Sequence, residues 1–280
     1  GIAGSGRVAR AFAPALAPFS ASPVLLWGRS PERVRDAAQV AGGGAAEAIE
    51  WLTERCDAIV IAVTDDALAA VAAGLAAALA PGRDPFVCHV SGGSGAAVLA
   101  PLAARGALTA AVHPAMTFTG DPAQEVERMA GARFAITAPD GEAMAEARTL
   151  VGLLGGVAVA IAEDRRALYH AALSHAANHL VTLLGGASHA LRVAGDDEPE
   201  ALLAPLVRAA LENSLARGFG ALSGPLLRGD GDTIAAHLAA LERDCPELLP
   251  AYRAMALATL DALDRSVKAP SPGLRRIVAG

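Results

Sequence analysis

Gly4, Gly6 and Ala9 fall at the spacing G-x-G-x-x-G/A within the run Gly1-Ile2-Ala3-Gly4-Ser5-Gly6-Arg7-Val8-Ala9. Between a strand and a helix, the first glycine of this pattern makes the turn and the second lets backbone approach a pyrophosphate. The third position packs helix on strand. Phosphates then lie at the helix start, where unpaired N–H groups and the helix dipole favour anions. The chemistry is dinucleotide binding, with Gly4, Ser5, Gly6, Arg7 and Val8 as contacts; the alternative is a chance turn in an alanine- and glycine-rich chain. The next strand-like run, Val24-Leu25-Leu26-Trp27, ends in Gly28-Arg29-Ser30-Pro31-Glu32-Arg33. An NAD site usually places an acid there for the ribose hydroxyls, whereas arginine accommodates a 2′-phosphate. Arg29, Ser30 and Arg33 therefore point to NADP, unless the arginines are an ordinary solvated helix start.

In open α/β sheets ligands occupy the crevice at the carboxyl ends of the strands. Val63 and Thr64 leave the apolar run Asp57 to Val63, and Ser91 and Gly92 leave the run Phe86 to Val90, so these four join the cofactor set. The Ser91 hydroxyl, or the imidazole of His113 after Leu108 to Val112, could bond a substrate or the nicotinamide carboxamide. The alternative is a tight turn and a histidine satisfied by backbone, and it weighs more heavily for His89. A long helix is predicted from Asp164 to Arg192. At about 100° per residue, Leu168, Tyr169, Ala172, Leu173, Ala176, Leu180 and Leu183 lie broadly on one side. Arg166, His170, Ser174 and Asn178 form a polar stripe on another, facing either solvent or a nicotinamide cleft. In a cleft, His170 is the first candidate to exchange the proton that accompanies hydride transfer, since an imidazole ordinarily titrates near ~6.5. Asn178 would orient the substrate, and Arg166, Ser174 and Arg228 would contact it. Arg228 could equally close its loop by an ion pair with Asp230 or Asp232.

Other chemistries are less well served. His175 and His179 have metal-binding spacing, but Ala176 sits where a metalloprotease carries glutamate, and no third ligand is evident. No metal is expected. There is no G-x-S-x-G for serine hydrolysis, and Lys268, the only lysine, leaves no catalytic lysine in the body of the chain. Cys56, Cys88 and Cys245 are far apart with no C-x-x-C, which indicates neither a disulfide framework nor a zinc site and fits a reducing cytoplasm. A net charge of −6 without a basic block argues against nucleic acid as a partner. No apolar run is long enough to span a bilayer. Only Ile2 and Ala3 remain of a first strand that should be longer, so the chain is expected to begin inside a longer translated sequence.

Alternating strands and helices up to residue 162 imply an α/β fold with a doubly wound, mostly parallel Rossmann sheet. Beyond it the pattern is all-helical: Asp164 to Arg192, Glu198 to Leu222, Thr233 to Arg243 and Pro246 to Lys268. A loop at Pro225, Gly229 and Gly231 and a peripheral tail from Ala269 to Gly280 complete the chain. The expected division is an NADP-binding domain over 1–162 and a helical dimerisation and substrate domain over 163–280. Leu180, Leu183, Leu184, Leu202, Leu203, Leu206 and Val207 exceed what a small helical domain needs, which suggests a symmetric homodimer.

Taken together, the motifs resemble the Rossmann-like NADP oxidoreductases with a helical C-terminal domain of unknown function, relatives of pyrroline-5-carboxylate reductase and the 6-phosphogluconate dehydrogenase superfamily. The likeness spans nearly the whole chain. It rests on Gly4-Ser5-Gly6-Arg7-Val8, Trp27-Gly28-Arg29-Ser30, His89-Val90-Ser91-Gly92, His113-Pro114, Leu168-Tyr169-His170-Ala171-Ala172, Asn178-His179-Leu180-Val181 and Leu222-Ser223-Gly224-Pro225-Leu226-Leu227-Arg228-Gly229-Asp230. The resemblance implies an NADP-dependent oxidoreductase acting on a small carbonyl or imine compound, dimeric through its helical domain. The family often has lysine where this chain has Arg166, serine at Ala177 and a large apolar residue at His175. An arginine, with a pKa above about 12, is a poor proton donor, which moves weight to His170. The missing lysine also supports a rival reading, a module that senses NADP(H) or scaffolds a partner without turnover.

Overall fold

The computed structural model describes residues 1–265 and 273–280; Lys268, Pro270, Pro272 and the predicted end of the last long helix lie outside them. The first part of the chain alternates β1 (Ile2–Ala3), α1 (Arg7–Leu16), β2 (Leu25–Trp27), α2 (Pro31–Ala41), β3 (Gly44–Ala45), α3 (Glu50–Arg55), β4 (Ala58–Ile61) and α4 (Asp65–Ala78). It continues through β5 (Phe86–His89), α5 (Ala100–Ala103), β6 (Leu108–Pro114), α6 (Pro122–Met129), β7 (Arg133–Thr137), α7 (Gly141–Leu153) and β8 (Val157–Ala160). The strands form one sheet in the order β3-β2-β1-β4-β5-β6-β7-β8. Among the described residues only the β6–β7 pairing is antiparallel.

Strand β4 shows why these runs are so apolar. Ile59 and Ile61 pack with Leu52, Leu75, Val87 and Leu99 on one side of the sheet, while Val60 packs with Phe12, Leu26 and Phe134 on the other. A strand covered on both faces cannot alternate with polar residues. Helix α2 begins where Ser30 accepts from Arg33 N and Pro31 presets the first turn, and it ends at Gly42 with φ +65°.

Gly44–Ala45 pairs with β2 as an edge strand, and the next helix begins at Glu50. Two local expectations are corrected. Strand β6 continues through His113 and Pro114, since β7 pairs antiparallel with those residues as well. The tail is not peripheral: α13 (Gly273–Ala279) buries Leu274 and Val278.

Past Ala160 the described residues contain no strand. The helices are α8 (Arg166–Val193), α9 (Pro199–Arg217), α10 (Pro225–Arg228), α11 (Gly231–Asp244), α12 (Leu249–Asp264) and α13. The chain forms two compact units, residues 1–176 and 177–280, so α8 belongs in part to each. The core of the second unit joins Ile234, Leu238, Leu260, Leu263, Leu274 and Val278. Helix α10 occupies the predicted loop, with Pro225 in its first turn and Gly229, at φ +77°, ending it. Among the described residues, no helix is long and apolar enough to cross a membrane.

Candidate functional site

Ala3, Ile61, His89 and Ala111 lie in register across four parallel strands, so the segments after β1, β4, β5 and β6 all leave the same edge of the sheet. At β1, Gly4 has φ +150°, and a Cβ there would stand 2.2 Å from the Ala62 carbonyl oxygen. No other residue fits. Gly6 is extended, precedes α1, and a Cβ on it would meet nothing within 4 Å. No side chain caps α1 and no acid stands in its first turn, so its leading N–H groups remain available to an anion. Ala9 is fully buried, as the packing position of the motif requires. Arg10 braces the loop by donating to Ser5 O at 3.3 Å, and Arg7 donates to Phe118 O at 3.4 Å.

At the end of β2, Arg29 and Arg33 are exposed and Ser30 is occupied as the cap of α2. Thr64, exposed at the start of α4, donates its hydroxyl to Asp66. That bond, aided by the helix-start N–H groups and the Arg29 charge, holds the Asp66 carboxyl below its usual range.

The segment 91–95 is built by buried groups. His89, with no exposed surface, accepts at Nδ1 from Ser91 N (3.2 Å), so its Nε2–H donates to Gly95 O (2.8 Å). Burial lowers its pKa and the ring is satisfied by backbone. The Ser91 Oγ accepts from Ser94 N at 3.1 Å. Glu163 accepts from Ala96 N (2.8 Å) and Ala97 N (3.3 Å), capping the 3-10 turn that follows. Gly95 leaves room for that carboxylate, because a Cβ would lie 2.1 Å from Glu163 Oε1.

Arg166 does not line an open stripe. It is 1% exposed and donates to Ser94 O (2.9 Å), Ser91 O (2.8 Å) and Ala135 O (3.2 Å). Expected to contact substrate, it pins the first turn of α8 to the 91–95 segment and to β7 instead. Burial lowers its pKa, while the carbonyl dipoles and the Tyr169 ring, centred 5.6 Å from the guanidinium carbon, stabilise its charge.

Tyr169 is a second residue whose surroundings differ from the expectation. The helical wheel groups it with leucines, yet its hydroxyl lies 2.8 Å from His113 Nδ1. Burial, reinforced by the nearby Arg166 and His170, pushes the His113 pKa down to about 4, and burial raises that of Tyr169. At neutral pH the pair is an uncharged imidazole and an intact phenol. His170 is exposed and sits edge-on to His113, ring centres 6.1 Å apart. A Cβ on Gly92 would lie 2.6 Å from His170 Cδ2 and 2.9 Å from His113 Nε2, and one on Gly93 3.2 Å from His170 Nδ1. The two glycines thus let backbone lie directly against both imidazoles. Together these groups offer a phenol, a neutral imidazole and a solvent-accessible imidazole over a flat backbone surface.

Ser174 is half-buried on the same helix, and Asn178 and Arg228 belong to the second unit. Arg228 is exposed and pairs with no acid among the described residues. Asp230 caps α11 instead, accepting from Thr233 N (3.1 Å) and Thr233 Oγ1 (2.7 Å). Sequence reasoning missed Glu163 altogether.

Strand order reversing between β1 and β4, with the glycine loop leaving β1 at that point, defines a doubly wound fold of the dinucleotide-binding type. The family model of the Rossmann-like domain matches residues 1–114, and that of the domain of unknown function DUF2520 matches residues 132–259. The chain thus matches a Rossmann-like domain followed by a DUF2520 domain. No curated protein matches it in sequence. Among solved structures it is similar to protein TM1727 from Thermotoga maritima, at 22% identity and TM-score 0.71 over 94% of this chain and 98% of that one. A reductive aminase from Aspergillus terreus, in complex with NADPH and ethyl-5-oxohexanoate, gives 19% identity and TM-score 0.69 over 99% and 97%. An imine reductase from Myxococcus stipitatus in complex with NADP+ gives 17% and 0.69 over 100% and 99%. At these identities the likeness is one of fold.

Proposed function

We propose that the protein is an NADP-dependent oxidoreductase that moves a hydride to or from a small carbonyl or imine compound. The observation that carries this reading is the gathering of His113, Tyr169 and His170 on Gly92 and Gly93, at the sheet edge that also bears the glycine loop. The reductive aminase and imine reductase with the same fold support it.

The residues present fit the cofactor. The open space at Gly6 and the uncapped start of α1 suit a pyrophosphate held by Gly4, Ser5, Gly6, Arg7 and Val8. Arg29, Ser30 and Arg33 would take the 2′-phosphate, with Val63, Thr64, Ser91 and Gly92 beside the nucleoside and nicotinamide. When bound, NADPH supplies the hydride. His170 supplies the proton to the substrate heteroatom, because its exposed ring can be recharged from solvent. His113, held neutral and oriented by Tyr169, positions the substrate by hydrogen bonding, with Ser174 of the same unit as a further contact. Arg166 acts through the segment that it holds.

The division of labour we propose is cofactor binding by 1–162 and dimerisation with substrate contacts by 163–280, in a reducing cytoplasm suited to three free cysteines. Helix α9 supports a homodimer. Leu202 and Leu206 on one of its sides and Leu211 and Leu215 on the other are all exposed, Leu206 by 63% and Leu215 by 81%. A helix apolar on both sides requires a partner.

The test is to incubate the protein with NADPH and a panel of ketones, keto acids and cyclic imines and follow NADPH absorbance. Consumption with one class is expected. Tight NADPH binding without consumption of any would make the protein a sensor or scaffold.

A further inference from the structure

His189, Cys245 and Glu247 converge in the helical unit, with one imidazole nitrogen, the thiol sulfur and one carboxylate oxygen all within 4.8 Å of one another. We propose that these side chains form a binding site for a divalent cation of the zinc type, distinct from the candidate oxidoreductase site and independent of that reading.

The site is built by the fold. Cys245 N donates to Leu241 O at 2.9 Å at the end of α11, and Leu248 N donates to Cys245 O at 3.0 Å. These bonds close the 3-10 turn Pro246–Leu248 and place Cys245 and Glu247 on either side of Pro246. The turn lies against α8 at Gly186, where a Cβ would stand 3.0 Å from Leu248 Cδ2. One helical turn later, His189 Nε2 reaches Glu247 Oε1 at 3.0 Å.

The ligand chemistry is that of zinc. Imidazole nitrogen, thiolate sulfur and carboxylate oxygen bind it at roughly 2.0–2.3 Å, so tetrahedral ligands lie about 3.3–3.7 Å apart. The trio closes to that spacing by small rotations of the two exposed side chains, because Cys245 is 3% exposed and fixed while His189 and Glu247 face solvent. A cation would meet imidazole and carboxylate first, bind thiolate beneath, and keep a fourth position for water.

A cation displaces the proton of the Cys245 thiol. Arg243 is committed to Asp244 by two hydrogen bonds, at 3.0 and 2.6 Å. Binding releases the thiol proton to solvent, with no change of oxidation state, and is weakened by acid. Its effect is to clamp the C-terminal half of α8 to the junction of α11 and α12.

The experiment is a Co2+ titration of the full-length, chelator-treated protein with a non-thiol reductant present. A thiolate-to-cobalt charge-transfer band at one ion per chain is expected, lost on adding Zn2+, and Zn2+ should raise the Tm. Cys245→Ser should abolish the band. His189→Gln, at an exposed position, should leave the Tm without metal unchanged and weaken Co2+ binding at least about tenfold. Absence of the band, a band unaffected by His189→Gln, or one removed by Cys56→Ser and not by Cys245→Ser would overturn the proposal.

Discussion

The hydroxyl of Tyr169 stands 2.8 Å from Nδ1 of His113, joining the first turn of α8 to the end of β6 across 56 positions of sequence. The same helical turn sends Arg166 to three backbone carbonyls. The start of α8 is thereby positioned twice, once by a buried cation and once by a neutral pair.

That neutral pair predicts a pH dependence of stability. His113 has its pKa depressed from 6.5 to about 4. Above about 6.5 the ring is neutral in the folded and unfolded chain and costs nothing. As pH falls the unfolded chain binds the proton first, so stability is lost between about 6.5 and 4, by roughly 3 kcal/mol at most. Urea unfolding across that range should show the loss, and His113→Gln should flatten it. A profile identical in both proteins would contradict the assignment.

Gly4 and Gly6 should respond in opposite ways to alanine. At Gly4 the new Cβ collides with Ala62 O, and the backbone is left-handed, so Gly4→Ala should cost on the order of 3 kcal/mol in urea unfolding. At Gly6 the Cβ meets only open space. Gly6→Ala should keep stability within about 1 kcal/mol and weaken NADPH binding at least about tenfold in a fluorescence titration, because the methyl fills the approach reserved for pyrophosphate. A Gly6→Ala protein with unchanged affinity would remove this loop from the cofactor site.

The glycine loop, the doubly wound sheet and the helical second half were legible because they are local patterns. Each depends on spacing or periodicity within a few residues. The details of the site were not, because they rest on contacts between distant segments. Tyr169 reads as apolar on a helical wheel, and only the extension of β6 through His113, set by pairing with β7, reveals its partner. Arg166 reads as a surface cation because its three acceptors come from Ser91, Ser94 and Ala135. Glu163 carries no local signal, since the N–H groups it caps lie 66 and 67 positions earlier. Pro270 and Pro272 made the C-terminus look like a tail, although Leu274 and Val278 that follow are core residues.

Cofactor choice should follow Arg29. It is exposed after β2, with no acid in the run Gly28-Arg29-Ser30-Pro31 to take ribose hydroxyls. NADPH should bind more tightly than NADH, and Arg29→Ala should narrow the gap by roughly ten- to a hundredfold, the worth of a charge-assisted hydrogen bond of about 1.5–3 kcal/mol. Equal affinities of the unmodified protein for the two cofactors would sink the idea.

The proton should come from His170. Hydride transfer to a C=O or C=N leaves charge on the heteroatom, and a positioned donor accelerates such a step by roughly 10²–10⁴. His89 is buried and spent on Gly95 O and Ser91 N, and Arg166 is committed to carbonyls. His113, with a pKa of about 4, carries no extra proton at neutral pH. Tyr169 has a pKa raised by burial and is bonded to His113, which leaves it poorly placed to part with a proton and recover it from water. His170 alone of these is an exposed imidazole against Gly92 and Gly93. His170→Asn should therefore leave NADPH affinity nearly unchanged and lower kcat by about a hundredfold or more with the substrate class found active. Tyr169→Phe should keep most of kcat and raise KM, since it removes only the bond that orients His113. A His170→Asn protein with full activity, combined with a Tyr169→Phe protein without any, would transfer the proton to Tyr169.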